Sequence, residues 1–387
     1  MSLSESEQTA TYASGTDDLR ADQLGLAFIR AKNDAPVEWW YYNGHLQSGS
    51  DRYSFHTAFF RFNATGFSIG RVLPLRLLGT EIGFGHVSLT DYQQRRTHFS
   101  HRRVFGWQVD SGPNDVDLKL KDMSLVVEQD RHRLAANAAD CTLNLEMVPS
   151  KPIARYGPDG LFGHLLPRRS HHVSYSRMSV SGSIEIEGAT RNVDGTAWLD
   201  REYGEIGPDP TVAGWIWMSI QLDNDCELMI YHIHRRDQPS TCARAAIIFP
   251  DGKVRLIDEQ HIQLRTLREF RSELSQAVYP VASQVTVTDP VDGVRWELTV
   301  DADFDSCEFD TRGTTSTFYW EGGASVTGSI GGVVVAGKAF MELVGFARQT
   351  RLGQFEHARK NLPLISCLAN EIRLRVSDCT NQIHDHR

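Results

Sequence analysis

Apolar and polar residues alternate with a period of two along most of this chain, in short runs broken by Gly, Pro, Asp, Asn and Ser. The strongest run is Val37-Glu38-Trp39-Trp40-Tyr41-Tyr42-Asn43-Gly44-His45-Leu46. Consecutive rings crowd the preceding turn of a helix but suit a pleated strand. Pro36 fixes the entry to that strand, Gly49-Ser50-Asp51 turns the chain, and the run from Tyr53 to Phe62 returns as the second arm of a hairpin. Further strands are predicted at 83–91, 105–109, 115–120, 123–129, 141–147, 174–186 and 195–203. A short helix is expected within 17–32, and 362–376 has mixed periodicity, helix or strand. Residues 1–16 are polar with little to bury and read as disordered. The stretch 148–172, with Pro152, Gly157-Pro158-Asp159-Gly160, Gly163 and Pro167, reads as a long loop of the kind that carries function. Short strands at regular spacing predict an all-β protein of sandwich or barrel type.

The pattern then repeats. Gly214-Trp215-Ile216-Trp217-Met218-Ser219-Ile220-Gln221-Leu222 passes through Asp223-Asn224-Asp225 into the run from Glu227 to Arg235. Trp215 corresponds to Trp39, Trp217 to Tyr41 and Leu222 to Leu46, all at one offset. A second correspondence closes each half, Gly195-Thr196-Ala197-Trp198-Leu199-Asp200 with Gly337-Lys338-Ala339-Phe340-Met341-Glu342. Two β domains from an internal duplication follow, 17–206 and 207–387, divided at Gly207-Pro208-Asp209-Pro210.

Strand parity separates the faces. Ile216, Met218, Ile220 and Leu222 share an apolar face, as do Trp40, Tyr42 and Leu46 in the first copy. The opposite faces carry Trp215, Trp217, Ser219 and Gln221, and Trp39, Tyr41, Asn43 and His45. Rings mixed with amide, hydroxyl and imidazole groups fit a small-molecule pocket or a domain interface, and one surface can be both. Trp198, Asp200 and Glu202 share a face in the first closing strand, as do Phe340 and Glu342 in the second. A carboxylate beside such rings needs a cation, with Arg201 or Arg177 as candidates, or else a raised pKa that makes it a proton donor.

Composition narrows the classes. With 387 residues, 41% hydrophobic and 23% charged, the chain is an ordinary globular protein. A net charge of −9 argues against a general nucleic-acid or anionic-membrane binder. The basic clusters at 95–103 and 168–172 read as solvated loops or strand rims. Six dispersed cysteines, no signal-peptide pattern and no membrane-spanning apolar run suggest a soluble, cytoplasmic protein with free thiols. His232 and His234 have metal-ligand spacing but no evident third ligand, and 301–312 departs from a calcium loop at Ser306 and Arg312, so no metal is expected. Gly328-Ser329-Ile330-Gly331-Gly332 reads as a hairpin turn, and with neither a dinucleotide fingerprint nor a nucleophile elbow, no cofactor is expected.

Several motifs together carry a resemblance. They are Glu38-Trp39-Trp40-Tyr41 with Gly44-His45-Leu46, Tyr156-Gly157-Pro158-Asp159-Gly160, Trp198-Leu199-Asp200-Arg201-Glu202-Tyr203-Gly204, Trp215 through Leu222, and Tyr319-Trp320-Glu321-Gly322. From about residue 33 to about 350 the chain resembles the lipocalin-like family of AttH and the carotenoid 1,2-hydratases (hydroxyneurosporene synthases), which has fungal Diels–Alderase relatives. The resemblance implies two lipocalin-like β-barrels packed side by side, with a pocket for a polyene, isoprenoid or polyketide-type molecule between them. It departs from the hydratases near Tyr231-His232-Ile233.

The expected activity is acid-assisted hydration or cyclisation of a C=C bond. Asp200 is the favoured acid, and Glu202, Glu38, Glu321 and Glu342 are further candidates. Trp39, Tyr41, Trp198, Trp215, Trp217 and Trp320 would form the cage, with Asn43, His45, Gln221 and Tyr231 orienting the substrate. The alternatives are a pericyclase working by shape and hydrogen bonding, and a carrier that binds without reacting. Neither substrate identity nor oligomeric state is legible in the sequence.

Overall fold

The period-two alternation is realised as two antiparallel sheets, each curled into a nearly closed barrel. The computed structural model describes residues 21–347 apart from 33, 64–67, 70–72, 75–80, 108–114, 158–159, 163–169, 205–210, 237–241 and 316, and Phe346 ends the compact unit that holds both sheets. The first sheet runs, in spatial order, Arg96–Phe105, Glu81–Asp91, Asp51–Asn63, Val37–Ser48, Ala189–Gly204, Ser170–Ile186, Cys141–Pro149, Arg131–Ala138, Met123–Glu128 and Asp115–Leu120. The second runs Val254–Asp258, Cys242–Ile248, Glu227–Arg235, Val212–Leu222, Val333–Val344, Phe318–Ile330, Arg295–Ala302, Val278–Thr288 and Ile262–Arg271. The ring-rich strand therefore sits in mid-sheet in both copies, between its hairpin partner and the closing strand.

The duplication extends to register. Tyr41 pairs across the ladder with Asp200, and its counterpart Trp217 pairs with Glu342. Asn43 pairs with Trp198, and Ser219 with Phe340.

Because parity assigns alternate residues to opposite faces, Trp40, Tyr42 and Leu46 point into the first barrel. There they pack with Phe55, Phe59, Val87, Leu89, Leu143 and Leu199. Burying each such side chain stabilises the fold by about 1.5–3 kcal/mol. Their polar atoms are paired: the Trp40 indole donates to the Ile29 carbonyl at 2.7 Å, and the Tyr42 hydroxyl meets His132 Nδ1 at 2.7 Å.

The helix expected within 17–32 is Ala21–Ile29, and Glu38 explains how it is held. Glu38 faces the same side as Trp40 and is fully buried between the guanidinium groups of Arg61 and Arg201. Arg201 stacks over Trp40 at 4.0 Å and donates to the carbonyls of Ile29, Arg30, Trp39 and Glu202. This capping of the helix's last carbonyls by a cation also suits the helix dipole.

The basic cluster at 95–103 is part of the edge strand Arg96–Phe105, and it closes the first barrel's seam by side chains. Arg102 grips both oxygens of Asp122 at 2.5 Å, Arg96 binds Asp140 at 3.0 Å, and the Ser100 hydroxyl accepts from the Ala139 amide at 2.7 Å. His98 and Arg102 are buried, so this cluster is not the fully solvated face expected of it. Its presence also accounts for the grouping of His98, Asp140 and Cys141, whose carboxylate already serves Arg96 and His98.

Other expectations shift in detail. Phe105 ends a strand rather than starting one, and 108–109 lie outside the described residues. Within 148–172, Ala154–Arg155 and Leu161–Phe162 pair with Ser170–Ile186, and His171 and His172 are buried rather than solvated. The turn at Gly331-Gly332 joins Phe318–Ile330 to Val333–Val344. The segments 1–16, 207–210 and 362–376 lie outside the described residues. Among the described residues no helix is long and apolar enough to cross a membrane.

Candidate functional site

The faces opposite the two barrel cores meet each other. Tyr41, Ala58, Trp198, Trp217, Met229, Ala246 and Ile248 form one buried cluster, with Trp39, Phe60, Trp215 and Tyr231 packed against it and partly accessible. The Tyr41 ring meets the edge of its own counterpart, Trp217, at 5.5 Å, and Trp198 lies 6.3 Å from Trp217.

The contact is close to two-fold symmetric, with counterpart residues meeting across it. Ser219 donates to Asn43 Oδ1 at 3.1 Å, and these two are counterparts. His45 Nε2 meets the Ala339 carbonyl at 2.9 Å, while its counterpart Gln221 donates to the Ala197 carbonyl at 3.0 Å. Gln221 also donates to the Ser176 carbonyl at 2.8 Å. Gly323 permits the approach, because a Cβ there would lie 2.8 Å from His45 Cε1 and 3.0 Å from Ser54 Cβ. A second tie is ionic: buried Glu227 receives Lys151 at 2.9 Å and Arg177 at 2.7 Å. Arg177 is therefore committed to Glu227, and Arg201 to Glu38. Neither is the partner of Asp200.

Asp200 is held instead by three uncharged or titratable donors. The Trp198 indole donates to Oδ1 at 2.6 Å, the Ser174 hydroxyl donates to the same oxygen, and His172 Nε2 lies 2.9 Å from Oδ2. Tyr156, from the Tyr-Gly-Pro-Asp-Gly motif, donates to Ser174 at 2.8 Å and so steadies the arrangement. Burial opposes a charged His172, but the charges of Asp200 and Glu202 and the hydrogen bond outweigh it and push this imidazole up. Glu202, two residues along the same face, accepts from Ser170 at 2.6 Å, and burial raises its carboxyl.

The second sheet contributes two more acids, Glu321 and Glu342, which are cross-strand neighbours. Burial drives both well above the ordinary carboxylate range, and the charge of Glu321 pushes Glu342 further. Asp200 and Glu202 act on Glu342 in the same direction. The polar groups of Trp215 beside Glu342 and of Tyr41 beside Glu321 offset part of the rise. His56 Nε2 approaches Glu321 Oε2 at 2.9 Å. Burial holds that imidazole down at about 3, so it is a neutral partner. Tyr41, Tyr231 and Tyr319 have hydroxyls raised by burial and by these acids. Glu342, unlike Glu321, keeps some accessible surface. Among the buried donors of the seam without a hydrogen-bond partner in the described protein are the Trp217 indole N–H and the Asn43 amide nitrogen.

The structure thus brings together Asp200, Glu202, Glu321 and Glu342 with Trp39, Tyr41, Asn43, His45, Trp198, Trp215, Trp217, Gln221 and Tyr231. It does not bring Glu38 or Trp320 with them. Glu38 has the wrong strand parity and is neutralised by two arginines. Trp320 alternates with Glu321, and its buried indole donates to the Asp305 carbonyl at 2.6 Å. Sequence reasoning missed His172, Ser174, His56 and Tyr319. Only cross-strand register, placing Ser174 opposite Asp200 and His172 opposite Glu202, would have found the first pair. His232 and His234 are near one another, with ring centroids 4.8 Å apart, on the face opposite Tyr231.

A twinned β-barrel fold with an acid-bearing aromatic seam defines the class, and the comparisons give it a family. The AttH-like family model matches residues 29–346, and the chain belongs to that family. It is similar to the crystal structure of AttH from Nitrosomonas europaea, with 33% identity, a TM-score of 0.70, and coverage of 82% of this chain and 95% of that one. Kievitone hydratase from Nectria haematococca shares the fold at 12% identity and a TM-score of 0.65, covering 83% and 92% of the two chains. CghA, whose structure has also been determined with Sch210972, shares it at 13% identity and a TM-score of 0.57, covering 82% and 90%. No curated protein matches the sequence.

Proposed function

We propose that the protein is an enzyme that binds an unsaturated hydrophobic molecule, of polyene, isoprenoid or polyketide type, between the two sheets and protonates a C=C bond from Glu342. The observation that carries this reading is the pair of buried acids, Glu321 and Glu342, set into an aromatic seam and each raised by its surroundings. A carboxylic acid that keeps its proton near neutral pH is the donor such a reaction needs. The rings of Tyr41, Trp198, Trp215 and Trp217 supply π-faces for the cationic character that develops. Asp200, accepting from three donors, suits the complementary role of acceptor and orienting group rather than acid.

In hydration, the Glu342 proton forms a new C–H bond at one alkene carbon while the π pair is used. A water oxygen then bonds to the other carbon, and its departing proton goes to the Asp200 carboxylate. In cyclisation, a second π bond of the same molecule takes the place of water, and the cation left at its far carbon loses an adjacent C–H proton to the Asp200 carboxylate. The name of one fold relative, kievitone hydratase, is that of a water-adding enzyme and supports the first course. A second reading, a pericyclase, is favoured by the unpartnered donors on Trp217 and Asn43, which could bind a substrate carbonyl where no acid is used. Turnover in Glu342→Gln decides between them. Loss of about 100-fold or more in a variant that still folds and binds supports the acid mechanism, because general acids contribute on that order. An unchanged rate overturns it and leaves the pericyclase.

A further inference from the structure

An acid buried between two sheets must recover its proton after each turnover, and His86 lies at the centre of a route that could return it. His86 is 1% exposed, on the strand Glu81–Asp91 of the first sheet. Its Nδ1 lies 2.8 Å from the Tyr319 hydroxyl, and its Nε2 lies 2.8 Å from Thr314 Oγ1. Thr314 Oγ1 lies in turn 3.1 Å from Nδ1 of His101, which is half-buried at the edge strand. Tyr319 shares a strand face with Glu321, and its hydroxyl feels the charges of both Glu321 and Glu342. First-sheet imidazoles thus alternate with hydroxyls from the second half of the chain, Tyr319 on a strand and Thr314 in the turn before it.

We propose that Tyr319, His86, Thr314 and His101 form a proton relay between the Glu321–Glu342 pair and solvent. The proposal rests on the acid reading of that pair. The chain can be written in two hydrogen-bonded senses. In one, Tyr319 donates to His86 Nδ1, His86 Nε2 donates to Thr314, and Thr314 donates to His101 Nδ1. In the other, every bond is reversed and Tyr319 is free to donate towards the acids. A proton entering at His101 Nε2 and one leaving from Tyr319 convert the second into the first, so charge and atoms balance with no residue left ionised. Thr314 can alternatively donate to the Thr311 carbonyl at 3.2 Å, which gives its hydroxyl a resting position.

The surroundings keep the relay neutral. His86 is faced by His56, His101 and Arg102 as well as Tyr319, and burial, aided by the Arg102 charge and the neighbouring imidazoles, holds it well below the usual imidazole range. His101 is faced by Asp310, Arg103 and Arg102, and burial is the main force lowering it. Phe60 and Phe99 wall the central imidazole. A neutral imidazole with one donor and one acceptor nitrogen is the form that passes a proton in either direction.

Infrared spectroscopy of the full chain on transfer from water to heavy water tests this without a substrate. The protonated carboxyl C=O bands of Glu321 and Glu342 are assigned from Glu321→Gln and Glu342→Gln, and their isotope shift is followed in time. Thr314→Val keeps the volume and removes the hydroxyl. The relay predicts exchange at least an order of magnitude slower in this variant, because exchange must then wait for local opening, with Thr314→Ser restoring the wild-type rate. Equal rates in wild type and Thr314→Val overturn the relay alone. Absence of any protonated carboxyl band overturns both the relay and the acid it serves. Should Thr314→Val not fold, His101→Gln at the accessible end takes its place with the same two outcomes.

Discussion

Replacing Glu38 by Gln is expected to destabilise the protein by about 3–5 kcal/mol, the cost of breaking a buried ion pair by removing one partner. The Glu38 side chain is fully buried, and its two oxygens separately engage Arg61 and Arg201, whose side chains are 3% and 0% exposed. A Gln of the same volume leaves both guanidinium groups without this counter-charge. Arg61 retains Glu81 at 2.9 Å, and Arg201 retains four backbone carbonyls. These remaining partners place the expected loss near the lower end, about 3 kcal/mol. Equilibrium urea denaturation measures it as a fall in midpoint at constant slope. Ligand binding by the folded fraction should be unchanged, since Glu38 faces the barrel core and not the seam. A loss below about 1 kcal/mol, the range of an exposed pair, would refute the reasoning.

Chemically similar changes at the seam should behave differently. The folded-state carboxyl of Glu342 is raised above 4.5, so its contribution to stability is complete below that pH and is lost as pH rises towards the folded value. Glu342→Gln cannot ionise, and should gain stability over wild type above pH 4.5 by a margin that grows with pH, with no gain below it; urea midpoints across pH check this. His132 is held at about 3 by burial, so its contribution is present above 6.5 and is lost as pH falls from 6.5 towards 3. His132→Gln should flatten that acid slope in the same titration. Trp217→Ala removes a buried ring from the centre of the seam and should cost about 3–5 kcal/mol, read by calorimetry or denaturant.

Strand parity made much of this architecture legible. Trp40 and Tyr42 against Trp39 and Tyr41, and the matching of Tyr41 with Trp217, follow from period two and from the duplication. Glu38 and Trp320 sit within the family motifs, yet Glu38 takes the core parity of Trp40 and Trp320 alternates with Glu321, so motif membership alone does not place them in the seam. The strand Ile262–Arg271 escaped notice because its outward row of Gln263, Arg265 and Glu269 dilutes a thin apolar signal. Asp200's true partners were hidden for another reason. His172 and Ser174 lie on a neighbouring strand, and a sequence without register does not specify what stands opposite what. Glu321 and Glu342 were visible as acids, but their adjacency is a property of the hairpin that joins them.

The account's central claim is that an acid-bearing seam between twinned barrels transforms an unsaturated hydrophobic molecule. The most direct test is to incubate the protein with a panel of such compounds in water labelled with heavy oxygen, and to follow mass and retention. The account predicts a product that either gains one labelled water or is an isomer of altered retention, formed by wild type and slowed about 100-fold or more in Glu342→Gln. Tight binding of a compound recovered with unchanged mass and retention would contradict it and make the protein a carrier.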